Sequence, residues 1–193
     1  MTKKIAIIDG HPDRDPARFV HALADAYADG AMSAGHQVRR IAVADIEFPL
    51  LTSRSSWQDM PPPQSIAEAQ ETIAWADHLL ILYPLWLGDV PALLKGFLEQ
   101  VMRPGFAFEY REGKLPRKAL KGRSARIVVT MGMPAIFYRL VFGAHSVKSL
   151  KRNILHFVGI KPVECTLIGN VEGGEEARDK WLDEMKALGK AAG

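Results

Sequence analysis

Lys4-Ile-Ala-Ile-Ile-Asp-Gly-His-Pro12 is the stretch whose reading decides the fold. The short isoleucine-rich run from Lys4 to Asp9 carries no polar alternation, so it reads as a strand buried on both faces, and Gly10-His11-Pro12 ends it in a turn. Downstream, Phe19, Leu23, Ala26, Tyr27 and Gly30 recur at helical spacing within Ala17 to Ala34. Gly35 then stands where a left-handed residue ends a helix.

The same alternation continues along the chain. Gln37 to Ala44, with Val38, Ile41 and Val43, is expected to be a second strand, and Phe48 to Gln64 a Pro- and Ser-rich loop ending in Pro61-Pro62-Pro63. Ser65 with Glu68 forms a capping pattern for a helix running to Trp75, and Leu79 to Tyr83 is the third strand. Pro91 fits the first turn of a helix that turns Leu94, Phe97, Leu98 and Val101 inward. Further strands are expected at Ala125 to Thr130 and Val163 to Ile168, and helices at Ser146 to Val158 and Glu175 to Leu188. Strands that alternate with helices must be joined by right-handed crossovers, which predicts an α/β three-layer sandwich around a parallel sheet, and five strands suggest the common doubly wound order 2-1-3-4-5.

With 193 residues, 48% of them apolar and 24% charged, the chain suits one ordinary globular domain spanning residues 1–193. Cys165 is the sole cysteine, which rules out an internal disulfide and a cysteine-based zinc cluster. A reducing cytoplasm is therefore expected. No apolar run nears the roughly 20 residues that span a bilayer, so no membrane insertion is expected. The net charge is +3, and the basic residues crowd between Arg103 and Arg126. Tyr110 is the only residue among them able both to stack on a base and to hydrogen-bond, so the stretch reads as a solvated loop rather than a nucleic-acid surface.

Ligands of such sheets bind beyond the carboxyl ends of the strands where the strand order reverses, which leaves three loops to search. The first, Gly10 to Arg18, leads into a helix N-terminus that favours an anion, with His11 and Arg18 as added donors. It has neither the dinucleotide glycine spacing nor a P-loop ending, and His11 reads equally as an exposed turn residue. The second, Pro84-Leu-Trp-Leu-Gly-Asp-Val90, sets Leu85, Trp86 and Leu87 in a turn where polar residues are usual. Its backbone N–H groups and bulky side chains suit a flat ring with a polar edge, although Trp86 in a core or a dimer interface would look the same. The third, Thr130-Met-Gly-Met-Pro134, offers a hydroxyl and a glycine, as a plain strand-ending turn also would.

On these residues the sequence resembles the flavodoxin-like NAD(P)H dehydrogenase (quinone) family, which includes DT-diaphorase, the modulator-of-drug-activity quinone reductases and the ancillary flavoproteins of potassium-efflux systems. Tyr83-Pro-Leu-Trp-Leu-Gly-Asp-Val-Pro-Ala-Leu-Leu-Lys-Gly-Phe-Leu-Glu99 is the most specific part, supported by Gly105-Phe-Ala-Phe-Glu-Tyr110. The resemblance implies two-electron, ping-pong transfer from NAD(P)H to quinones through a flavin, FAD by first choice with FMN as the alternative, in a homodimer. It implies that His11, Arg18 and Phe19 hold the flavin phosphate, Pro84, Leu85, Trp86, Leu87 and Gly88 the ring edge, and Thr130, Met131, Gly132 and Met133 its pyrimidine side. The family's serine–aromatic–asparagine entry to the first helix is replaced by Ala17-Arg18-Phe19-Val20. Tyr138 and His145 are the nearest counterparts of the family's catalytic pair, with Phe137 as a rival for the tyrosine's place. The Phe48 to Pro63 loop with Trp57, together with Phe137-Tyr138 and Phe142, is the expected interface. An ancillary subunit of a potassium-efflux antiporter and a flavodoxin-type electron carrier are the competing functions. The basic charge and the Pro12 and Pro16 of the first loop speak against the carrier.

Overall fold

The computed structural model describes residues 1–192. The first half of the chain runs β1 (Lys4–Asp9), α1 (Phe19–Ser33), β2 (Gln37–Ala42), α2 (Arg54–Gln58), α3 (Gln64–Trp75), β3 (His78–Pro84) and α4 (Ala92–Val101). The second half continues with β4 (Phe108–Arg111), β5 (Lys114–Lys118), β6 (Ser124–Thr130), α5 (Ala135–Leu140) and α6 (His145–Ser149). A π-helical stretch, Leu150–Leu155, joins α6 to α7 (His156–Val158), and β7 (Val163–Ile168) and α8 (Glu175–Ala191) complete the fold. The main sheet is parallel in the order β2-β1-β3-β6-β7, which is 2-1-3-4-5 when only its own strands are counted, as expected.

The apolar runs read from the sequence are continuous because both faces of the sheet are covered. Ile5 and Ile7 of β1, with Leu80 and Leu82 of β3, pack against α1 and α8, whereas Ala6, Ile8, Leu79 and Ile81 pack on the side of α3 and α4. Helices α1 and α8 touch backbone to backbone: a Cβ on Gly30 would stand 2.0 Å from the Lys186 carbonyl oxygen, and one on Gly189 2.1 Å from that of Tyr27. Among the described residues no helix is long and apolar enough to cross a membrane.

Several local expectations are corrected. The basic stretch contains a two-stranded antiparallel hairpin, β4–β5, in which Arg117 donates to Glu109 at 2.8 Å and Phe108 is buried against Trp57 and Phe157. Lys114-Leu-Pro-Arg-Lys118 hides the alternation of a strand, and Pro116 is tolerated because β5 is an edge. The Phe48 to Gln64 loop holds α2, closed by a Ser53–Ser56 capping box. Ser65 caps no helix: Pro63 occupies the N-cap of α3, and the Ser65 hydroxyl donates to the Glu47 carbonyl. β2 stops at Ala42 and passes into a 3₁₀ turn at Val43–Asp45.

Candidate functional site

β1 ends on Asp9, whose buried carboxylate organises the first loop. It accepts from the His11 N–H at 3.2 Å, from His21 Nδ1 at 2.6 Å and from the Arg40 guanidinium at 2.5 Å. Three donors on one buried carboxylate meet the requirement that a buried charge be paired. His11 is itself buried, and its Nδ1 accepts the Asp13 N–H at 3.0 Å, so the neutral ring carries its proton on Nε2. Burial, then the neighbouring His21, holds the His11 pKa below the ordinary histidine value.

Arg18 stands at the N-cap of α1 but its side chain makes no cap hydrogen bond. Its guanidinium, half exposed, pairs with Asp13 at 2.6 Å and Asp15 at 3.4 Å. The backbone N–H groups of Phe19 and Val20, at the start of α1, have no partner among the described residues. Two open donors at a helix start form the anion-favouring end that the first loop suggested.

The second loop is a hairpin turn that the sequence does not announce. Trp86 and Asp89 exchange both backbone hydrogen bonds, at 3.1 and 3.0 Å, across Leu87 (φ 48°) and Gly88 (φ 78°). Both central residues have the positive φ of a type I′ turn, where Asn-Gly is the usual pair. Leucine in that conformation is uncommon, and Leu87 is fully exposed at the tip. The Leu85 N–H goes to the Thr130 carbonyl (2.8 Å), which ties this loop to the third, and the Leu87 and Gly88 N–H groups stay open. Trp86, half exposed, sets its ring edge-on to His11 with centroids 6.0 Å apart, which joins the second loop to the first.

In the third loop, Thr130 and Met131 are buried, and Met131 N–H bonds the Ile168 carbonyl. Gly132 is exposed, and the Gly132 and Met133 N–H groups have no partner among the described residues. A Cβ on Gly132 would meet only Glu172 at 3.8 Å, so this glycine leaves an open backbone face.

The two candidate catalytic side chains are not placed alike. Tyr138 points inward: its hydroxyl lies 2.7 Å from Ser146 Oγ, which is also 3.2 Å from the Tyr83 hydroxyl. Tyr138 is buried on this face of α5, so its hydroxyl meets Ser146 rather than standing open at the surface. Phe137 lies on the exposed face and lacks a hydroxyl. His145 is exposed at the start of α6 and shares a polar cavity with Asp89 and Arg152. Beside it, a cavity of about 410 Å³ is walled by Trp86, Leu87, Val90, Ser146 and Leu150. It shares Lys95, Ser149 and Ile154 with a groove of about 800 Å³ lined by Trp57, Phe108, Tyr110 and Phe157.

The open donors fit a flavin by their chemistry: a pair at a helix start for a phosphate, and two pairs on flanking turns for a ring edge rich in acceptors. Asp9, His21 and Arg40 were missed from the sequence. Their one local signal is an acidic residue closing the apolar run of β1.

A family model described as the flavodoxin-like fold matches residues 3–190. An uncharacterized NAD(P)H oxidoreductase of Haemophilus influenzae is 30% identical over 129 residues, covering 65% of this chain and 62% of the relative. An FMN-dependent NADH:quinone oxidoreductase of Shewanella baltica is 30% identical over 116 residues, covering 57% and 53%. These two alignments span about three fifths of the relatives' length or less. The solved structure of an NAD(P)H:quinone oxidoreductase from Methanothermobacter marburgensis superposes with a TM-score of 0.83 at 26% identity, covering 98% of each chain. With that match along nearly its whole length, and with three loops gathered at the carboxyl edge of a 2-1-3-4-5 sheet, the chain belongs to the family of flavodoxin-like fold proteins.

Proposed function

We propose that this protein is a flavin-dependent NAD(P)H:quinone oxidoreductase. The observation that carries the reading is the convergence of three strand-end loops whose N–H groups at Phe19, Val20, Leu87, Gly88, Gly132 and Met133 have no partner among the described residues, beside an exposed tryptophan. Unsatisfied donors gathered on one edge call for an acceptor-rich ligand. A bound flavin would supply the redox chemistry, two-electron exchange between NAD(P)H and a quinone, with the second proton of the hydroquinone drawn from solvent or a side chain at the site.

The chain's residues hold and shield. Phe19 and Val20 N–H, with His11 Nε2 and Arg18, take the phosphate; the N–H groups of Leu87, Gly88, Gly132 and Met133 take the ring edge. Trp86 and Leu87 keep water off the ring and give a second flat molecule a surface to stack on. Asp89 at this wall and His145 in the adjoining cavity are the groups placed to exchange a proton, and Tyr138 acts through Ser146 as a positioning residue. FMN takes precedence over the FAD expected at first, supported by the Shewanella baltica relative, which is named for FMN. A homodimer remains our reading, with exposed Phe137, Leu140, Val141 and Phe142 as surface to be covered.

Purified protein tests this directly. Visible absorption, identification of the released flavin, and titration with NADH, NADPH and a soluble quinone should show yellow protein with FMN, bleached by the nicotinamide and recoloured by the quinone. Protein that stays colourless in excess FMN, or bleaches without answering the quinone, overturns the reading.

A further inference from the structure

We propose that His21 is a doubly protonated clasp that positions the first loop and lends it a positive charge, which strengthens its hold on the FMN phosphate. This rests on the flavin reading above only for its consequence; the clasp belongs to the chain itself. His21 Nδ1 lies 2.6 Å from Asp9 Oδ2 and Nε2 lies 2.9 Å from the Asp13 carbonyl oxygen. Neither oxygen has a proton to give, since one is a carboxylate ion-paired with Arg40 and the other a peptide carbonyl. A neutral imidazole offers one N–H and one lone pair, and here the lone pair would face an oxygen. Only the imidazolium satisfies both contacts. The side chain is 13% exposed, so water does not readily replace a lost bond.

The surrounding charge points the same way. Asp9 of β1, Asp13 and Asp15 of the loop, Asp25 of α1 and Asp45 of the 3₁₀ turn face Arg14 and Arg18 of the loop and Arg40 of β2. Five carboxylates against three guanidiniums leave this corner short of positive charge for an incoming phosphate. The imidazolium narrows that deficit and ties the first turn of α1 to the end of β1 and to Asp13. His11, whose ring centroid is 5.3 Å from that of His21, is the neutral member of the pair.

Two measurements test the proposal. In ¹⁵N-histidine NMR of the flavin-free protein at neutral pH, both ring nitrogens of His21 should carry protons; a neutral ring overturns the clasp, and no variant is needed for that result. FMN and riboflavin are then titrated by fluorescence quenching into wild type and His21→Gln at neutral pH. The variant should bind FMN about tenfold more weakly, the scale of one charge-assisted contact. Riboflavin, lacking the phosphate, should show a clearly smaller difference. An equal loss for FMN and riboflavin overturns the charge role. Wild type that binds no FMN sinks the flavin reading instead, and the NMR result then decides the clasp alone.

Discussion

Replacing Leu87 with asparagine should make the protein slightly more stable and a poorer catalyst. Leu87 sits at φ 48° in the first central position of the Trp86–Asp89 turn and is fully exposed, so the substitution removes no buried surface. An L-residue in left-handed conformation costs roughly 1–2 kcal/mol, and asparagine recovers part of that through local hydrogen bonding. The expected gain is about 0.5–1 kcal/mol, or a rise in Tm of about 1–4 °C for a chain of this size. Strain kept at an exposed tip has a reason only if the leucine covers something when the site is loaded. Urea denaturation of the flavin-free protein measures the gain, and FMN titration with steady-state quinone reduction measures the cost, expected as a several-fold loss in affinity or kcat/KM. A destabilised Leu87→Asn would refute the strain argument. A stabilised variant with unchanged FMN binding and turnover would refute the covering role.

Two predictions concern the fold beneath the site. Gly30→Ala drives a methyl group against the Lys186 carbonyl, so α8 must back away from α1; a loss of about 3 kcal/mol is expected in denaturant melts, and a neutral variant would contradict the contact. His78, bonded through Nδ1 to Ser124 at 2.7 Å and with no partner for its buried Nε2 among the described residues, has its pKa lowered to about 4, chiefly by burial and then by Lys3 and Arg126. The unfolded ring protonates near its ordinary value of about 6.5 while the folded ring does not. Stability should therefore be unaffected above that pH, fall as pH drops from about 6.5 to about 4, and level off below, by at most about 3 kcal/mol. His78→Gln should flatten that part of the pH–stability curve; an unchanged curve would place the ring's charge change elsewhere.

Much of the architecture was legible because it is written locally. The runs at Lys4–Asp9 and Val163–Ile168 are strands of the lengths read, and Gly35 takes the positive φ expected after a helix. The parallel, doubly covered sheet followed from the alternation of strands and helices and the handedness of crossovers, whereas the strand order rested on the commonest five-stranded arrangement of that kind. The three loops were also in view, since they must follow β1, β3 and β6. The hairpin at Leu87-Gly88 was not, because leucine is the wrong residue for its turn and the apolar side chains drew the reading toward a ligand rather than a backbone conformation. β4–β5 was hidden by its own charges, whose alternation Lys, Arg and Pro obscure.

Periodicity determined which segments are strands and helices and therefore which loops lie at the carboxyl edge of the sheet. Tertiary structure alone decided that Asp9, His21 and Arg40, from a strand, a helix and a neighbouring strand, meet at one carboxylate. It also decided that Tyr138 turns inward to Ser146 while Phe137 turns out. Successive helical residues point about 100° apart, so which of two neighbours faces a site depends on where the helix is docked. Docking is set by packing between segments distant in the chain, and no local pattern carries that information.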